Sequence, residues 1–294
     1  MPVLSADSFL PPKTLVYAES KVGKTRMIGR LAKTRKLVLV DNEGSAKTLL
    51  DPLNLDPKYL PNLNVLPMPD SKNFPISSVM MRKILGMPVN TVFNFCHAHT
   101  NHNCPKCKLA GKPFSPFSIQ KDVIDVNGIL VFETLSQMTS SFIEYIRRDS
   151  KNPYDTNLAN LAWENEASIK KFNDGEKLDW DQWGELGNLC FEILKAIQAA
   201  PFEIIVSTHP VMAKYEDGTS KVTPLMGTDK FTTKVAGHFD NVIYGYISMG
   251  KRKWISEPDL SGAVVGCRTP MDISKLKEEV NYSLLEPLHP PRKV

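Results

Sequence analysis

Eight residues, AESKVGKT at positions 18–25, constrain this chain more than any other part of it. They match the phosphate-cradle pattern G-x-x-x-x-G-K-S/T, with Ala18 in place of the first glycine. The pattern works where an apolar strand feeds a tight loop whose backbone N–H groups turn inward, and where a helix N-terminus adds positive potential. Both flanks are present. Residues 13–17 (KTLVY) read as a short buried strand, and 25–33 as a helix with Met27, Ile28 and Leu31 on one side. The phosphate site so predicted comprises Ala18, Glu19, Ser20, Lys21, Val22, Gly23, Lys24, Thr25 and Arg26. Lys24 is placed to reach the β- and γ-phosphates, and the Thr25 hydroxyl to ligate Mg²⁺, so ATP with Mg²⁺ is the expected ligand.

The rest of the chain supplies a sheet. Residues 36–40, 128–132 (GILVF) and 203–207 (EIIVS) are further apolar runs. Uninterrupted apolar strands separated by helical patterns predict an α/β fold with a mainly parallel sheet buried on both faces. The clearest helix lies between the last two of these strands, capped by Asp179 or Asp181 and carrying Trp183, Leu186, Cys190, Ile193 and Ile197 until Pro201 stops it. Further strands are expected at 241–247, 253–256 and 263–267, the last two as a hairpin. One domain spans 1–294, with 51–127 an insertion with little regular structure of its own, 209–240 a polar loop and 286–294 a flexible tail. Ligands of open α/β sheets bind at the carboxyl ends of the strands, and three candidates stand there in succession. They are Glu43 in LVLVDNEG, Glu133 in GILVFETLSQ and His209 in IIVSTHP. Asp41, closing its own apolar run, is an alternative carboxylate for the metal.

Here the chain resembles a family. VLVDNEGSAKTLLD is similar to the RecA-type segment that carries a catalytic glutamate, GILVFETLSQMTS to the metal-binding strand, and IIVSTHPVM to the strand that ends in a switch residue. The combination resembles the small RecA-like P-loop ATPases encoded by bacteriophages and associated with single-strand annealing and recombination. It covers roughly 13–50, 125–145 and 180–247. The resemblance implies a RecA-like core in which Lys24, Glu43, Glu133 and His209 are catalytic, Thr25 and Glu133 hold Mg²⁺, and Glu43 polarises the attacking water. It also implies a flexible DNA-binding loop over 215–235, with Lys214 and Lys221 as contacts to single-stranded DNA. Lys230 and Lys234 would reach the γ-phosphate of a neighbouring subunit in a homo-oligomeric ring or filament, and a single-stranded-DNA-binding protein is a further expected partner. Between 209 and 253 seven basic residues face four acidic ones, a mild excess that suits phosphate backbone contacts without base readout.

The insertion contains FCHAHTNHNCPKCK, in which Cys104 and Cys107 form a C-x-x-C knuckle and Cys96 with His99 a C-x-x-H pair within 94–112. Thiolates and an imidazole at these spacings predict a structural Zn²⁺ site, with His97 and His102 as alternative ligands. Five cysteines, three of them in this segment, argue for a reducing compartment and a metal rather than disulfides. No run approaches the roughly 18 consecutive apolar residues of a membrane span, and residues 1–12 do not read as a signal peptide. A cytoplasmic location is expected, the host's if the chain is phage-encoded. Two other functions fit the pattern: a slow ATP-dependent switch or loading factor acting on a protein partner, and a small-molecule kinase. No Arg-rich lid is apparent for the kinase, and a glutamate after the second strand suits water better than a phosphoryl acceptor.

Overall fold

Each apolar run finds partners on both sides, and the result is a layered sheet. The computed structural model describes residues 10–68, 77, 81–82, 84–86, 94–96, 105–116, 128–148, 180–268 and 284–291. In chain order the strands are β1 (Lys13–Ala18), β2 (Lys36–Asp41), β3 (Leu63–Pro67), β4 (Asn94–Cys96), β5 (Phe114–Pro116), β6 (Gly128–Glu133) and β7 (Glu203–Thr208). They continue with β8 (Pro210–Lys214), β9 (Ser220–Pro224), β10 (Asn241–Ser248), β11 (Lys251–Ile255) and β12 (Gly266–Cys267). The helices are α1 (Lys24–Gly29), α2 (Pro105–Leu109), α3 (Leu135–Arg148), α4 (Trp180–Ala199) and α5 (Asp229–Val235).

The main sheet runs β11-β10-β1-β7-β6-β2-β3, with β12 also on β10. From β10 to β3 every neighbour is parallel, and only β11 and β12 run against β10. Side chains alternate across it, since successive residues of a strand point to opposite faces. Leu15 and Tyr17 join Leu130, Phe132, Ile204 and Val206 on one face. There Leu135, Met138, Phe142 and Ile146 of α3 and Leu186, Ile193 and Ile197 of α4 cover them at helical spacing. Val16 faces the other way, with Leu39, Val131, Ile205 and Ile243, under Met27, Ile28 and Leu31. Fully burying one such aliphatic side chain stabilises by about 1.5–3 kcal/mol, so both faces contribute.

The structure differs from the sequence reading in several places. Residues 51–68 are ordered: a 3₁₀ turn over Pro57–Asn62 leads into β3, which extends the main sheet beyond β2. Only Leu66 of that strand is fully buried, so the prolines around it hide an edge strand. α3 is a full helix that the strand-like reading of GILVFETLSQMTS overlooked. β11 and β12 do not pair with each other, because both take β10 as their partner. Finally, residues 284–291 are docked: Leu284, Leu285 and Leu288 enter the second core and His289 is fully buried. Residues 292–294 lie outside the described ones. Among the described residues no helix is long and apolar enough to cross a membrane.

A buried ionic cluster fastens that C-terminal segment to the amino ends of the strands. Arg35 donates to Glu203 (3.0 and 3.3 Å) and to the carbonyl of Pro290 (2.8 Å), while His289 Nδ1 lies 2.7 Å from Glu203 Oε2. The other ring nitrogen of His289 is 2.9 Å from the Thr14 hydroxyl. Burial alone would push the Glu203 carboxyl up, but His289 and Arg35 hold it down at about 2. A depressed carboxylate contributes stability that is complete above its ordinary value of 4.5 and is lost as pH falls towards about 2. Glu203→Gln should therefore cost roughly 3 kcal/mol at neutral pH, read from the urea midpoint, because it leaves Arg35 buried beside a neutral partner. The variant should also lose less stability than the parent on acidification through that window.

Candidate nucleotide-binding site

Parallel register brings the carboxyl ends of β1, β2, β6 and β7 to one rim of the sheet, and the loops that leave them carry the polar residues. After β1 the chain turns through residues 19–23 into α1. Gly23 has φ of 106°, a left-handed conformation that suits glycine, and Lys21 also has positive φ (66°). Ala18 is the last residue of β1, paired with Gly245 and without positive φ, so a strand conformation there has no need of the usual glycine. Lys24 is almost fully buried and donates 2.9 Å back to the carbonyl of Ala18, across the mouth of the loop. Its Nζ is also 3.5 Å from Nδ1 of His209. Burial lowers the Lys24 pKa, while the carboxylates of Glu133 and Glu43 act to raise it.

Glu133 ends β6 and stands opposite Asp41 of β2. Its Oε1 accepts from the Thr25 hydroxyl at 2.5 Å, and its Oε2 is buried without a hydrogen-bond partner. Burial raises this carboxyl to about 7; the Thr25 and Ser45 hydroxyls oppose the rise, Asp41 adds to it and Lys24 opposes it. A buried carboxylate oxygen without a partner demands an explanation. The Asn42 side-chain amide and the Ser207 hydroxyl are likewise buried without partners, at or within one residue of the ends of β2 and β7. This donor set, a hydroxyl and a carboxylate with a spare oxygen, suits a small hard cation such as Mg²⁺.

The two acids at the carboxyl end of β2 have different surroundings. Asp41 is buried, and its two oxygens accept from the backbone N–H groups of Glu43 (3.2 Å), Ser45 (3.0 Å) and Ala46 (2.9 Å). It is consumed in shaping the turn into the 3₁₀ segment Ser45–Leu50. Glu43, carried on that turn, is partly exposed. Its Oε1 receives the Thr134 hydroxyl at 2.6 Å and lies 3.3 Å from His209 Nε2. The His209 contact holds the Glu43 carboxyl below the usual range against burial, with help from Thr134 and the charge of Lys24. His209 thus touches both Lys24 and Glu43. Thr134 escaped the sequence reading, since a lone threonine after a strand leaves no pattern to detect.

The remaining candidates lie elsewhere. Arg26 turns away from the cluster and donates to the carbonyl of Leu53 at 2.9 Å. The expected flexible loop over 215–235 is instead a β-hairpin followed by a helix: β8 and β9 pair antiparallel, and α5 comes next with Thr228 accepting from the Phe231 amide as its cap. Its tip is closed by Tyr215–Thr219 and Gly218–Tyr215 backbone bonds and by Asp217 accepting from Thr219. Lys214 is exposed at the end of β8, and Lys221 lies over the Tyr215 ring at 4.7 Å. Lys234 is exposed on α5, and the side chain of Lys230 lies outside the described residues. Of the expected zinc ligands, Cys107 is buried on α2 and Cys96 ends β4, whereas His99 and Cys104 lie outside the described residues. Among the described residues no group of three or more His, Cys, Asp or Glu could hold a metal ion.

With this geometry in view, the chain can be set beside known proteins. A family model described as AAA domain matches residues 10–265. No curated protein matches the sequence. Solved structures that align with it include the RadB recombinase, at 15% identity and a TM-score of 0.40, over 86% of this chain and 84% of that one. Another is an ATPase from the type III secretion system of pathogenic bacteria, at 11% identity and a TM-score of 0.34, over 80% of this chain and 52% of that one.

The division of labour between the two acids is measurable without any ligand. Asp41→Ala should cost about 2 kcal/mol in chemical denaturation, since it orphans several backbone amides. Glu43→Gln should stay within about 0.5 kcal/mol of the parent.

Proposed function

The chain belongs to the AAA domain family, and we propose that its rim cluster hydrolyses ATP, with water as the acceptor. The observation that carries this reading is the convergence of Lys24, Thr25, Glu43, Glu133 and His209, which leave four different strands and meet through contacts of 2.5–3.5 Å. Lys24 neutralises charge on the β- and γ-phosphate oxygens from a site screened from solvent. Thr25 and Glu133 would hold Mg²⁺, which would supply neutralisation of the charge that develops on the phosphates. Glu43 accepts a proton from the attacking water as its oxygen bonds to the γ-phosphorus. The bond to the bridging oxygen breaks, and ADP leaves with phosphate as the second product. His209, touching Lys24 on one side and Glu43 on the other, registers whether the γ-phosphate is present.

His209 joins β7 directly to the β8–β9 hairpin, and the backbone bond from the Leu225 amide to the His209 carbonyl (2.8 Å) closes the hairpin's base. We take this hairpin, with Lys214 and Lys221, as the segment that binds single-stranded DNA, in an enzyme of RecA-like, phage-type recombination or annealing. Lys230 and Lys234 on α5 then face a neighbouring subunit's nucleotide in a cytoplasmic ring or filament. Nucleotide state can change DNA affinity only if the hairpin's two arrangements bind DNA differently. The C-x-x-H and C-x-x-C spacings support a structural Zn²⁺ held by Cys96, His99, Cys104 and Cys107. Protein purified in reductant without chelator should carry about one zinc per chain.

The test of the function is ATP turnover with and without single-stranded DNA. Wild-type protein should release phosphate faster with DNA, and Lys24→Ala should lose turnover under both conditions while remaining folded. Lys214→Ala with Lys221→Ala should abolish the stimulation and leave basal turnover intact. Turnover that is unaffected by DNA would instead favour a switch acting on a protein partner, and wild-type turnover in a folded Lys24→Ala variant would remove the ATPase.

A further inference from the structure

Thr134 lies outside the phosphate loop, yet it sits between the two glutamates of the rim. It follows Glu133 directly, it is fully buried, and its hydroxyl donates to Glu43 Oε1 at 2.6 Å. A threonine hydroxyl has one hydrogen to give and two lone pairs to receive with. All three are engaged. The hydrogen goes to Glu43, and the oxygen accepts from the Gln137 amide (3.3 Å) and lies 2.9 Å from the Ser136 hydroxyl. Thr134 therefore caps the amino end of α3 with the same oxygen whose hydrogen orients Glu43.

We infer that Thr134 is a positioning residue for ATP hydrolysis, which aims the Glu43 carboxylate at the attacking water and couples its orientation to the metal side of the site. This rests on the hydrolytic reading above. The coupling is covalent and short. Glu133 meets Thr25 of the phosphate loop, its carbonyl accepts from the Asn42 amide at 2.7 Å, and the next residue holds Glu43. Because Thr134 and His209 both address Oε1, the second oxygen of Glu43 is left to meet water. A carboxylate on a turn and 29% exposed would otherwise sample several rotamers, and only those near the attack geometry are productive. A sheet-end side chain fixed at both ends by α3 and β6 removes that freedom.

The experiment is a double-mutant cycle on the full-length chain, read as single-turnover phosphate release and as affinity for a fluorescent ATP analogue. Thr134→Val keeps the shape and removes the donor. Turnover should fall about tenfold with analogue affinity unchanged, against about 100-fold for Glu43→Gln. Thr134→Ser, which restores the hydroxyl, should recover most of the rate. In a Glu43→Gln background, Thr134→Val should add no further loss, because it acts through Glu43. A purely structural cap would lower stability and would add its effect in either background. If Thr134→Val does not fold, Thr134→Asp replaces it, supplying the acceptor for the Gln137 amide but no donor to Glu43. Wild-type turnover in a folded Val or Asp variant, or full additivity with Glu43→Gln, overturns the positioning role while the hydrolytic reading stands. Normal turnover in Glu43→Gln alone overturns both.

Discussion

The register between β2 and β6, with Asp41 opposite Glu133, is the constraint on which the rest of the site depends. Those two strands end together, so one acid is spent on the turn that follows β2 while its neighbour reaches the phosphate-loop threonine. A slip of a single residue would send every side chain to the other face, exchanging the two cores as well as the acids. The parallel neighbours β1 and β7 extend the same alignment, which is why Lys24 and His209 arrive within reach of each other although 185 positions separate them. The helices of both layers fix that register by covering alternate residues of β1, β2, β6 and β7.

The two ends of the sheet treat buried charge in opposite ways. At the amino ends Glu203 is fully paired with Arg35 and His289, and Lys13 donates to three carbonyls, those of Pro11, Ala200 and Phe202. Such a cluster is structural: it fastens the C-terminal segment and the exit of α4. At the carboxyl ends Glu133 has one oxygen without a partner, and the Asn42 amide and Ser207 hydroxyl also lack theirs. Buried polar groups of folded proteins are nearly always hydrogen-bonded, so each of these rim atoms calls for an explanation.

Much of this was legible in the sequence. The cradle and its flanking strand and helix followed from one string, and Glu43, Glu133 and His209 from their places after apolar runs. The string LVLVDNEG leaves the surroundings of Asp41 open, and only packing reveals that its oxygens accept from backbone amides. What stayed hidden depends on distant partners. Leu63–Pro67 becomes a strand because β2 offers an edge, and His289 is buried because Glu203, 86 positions away, holds it. Thr134 has meaning only once β2 and β6 are side by side. The reading of 215–235 as a loose loop failed because a polar composition is shared by loops and by exposed hairpins such as β8–β9.

The proposed role of Glu43 is to act on water at a cradle that Lys24 and Thr25 assemble independently. The most direct measurement is a paired one on Glu43→Gln: affinity for ATP in the presence of Mg²⁺, and phosphate release at saturating ATP. That role requires affinity equal to that of the wild-type chain, with release reduced about 100-fold or more. Undiminished release from that variant, or its transfer to Asp41→Asn as the variant that binds ATP without turning it over, would contradict it.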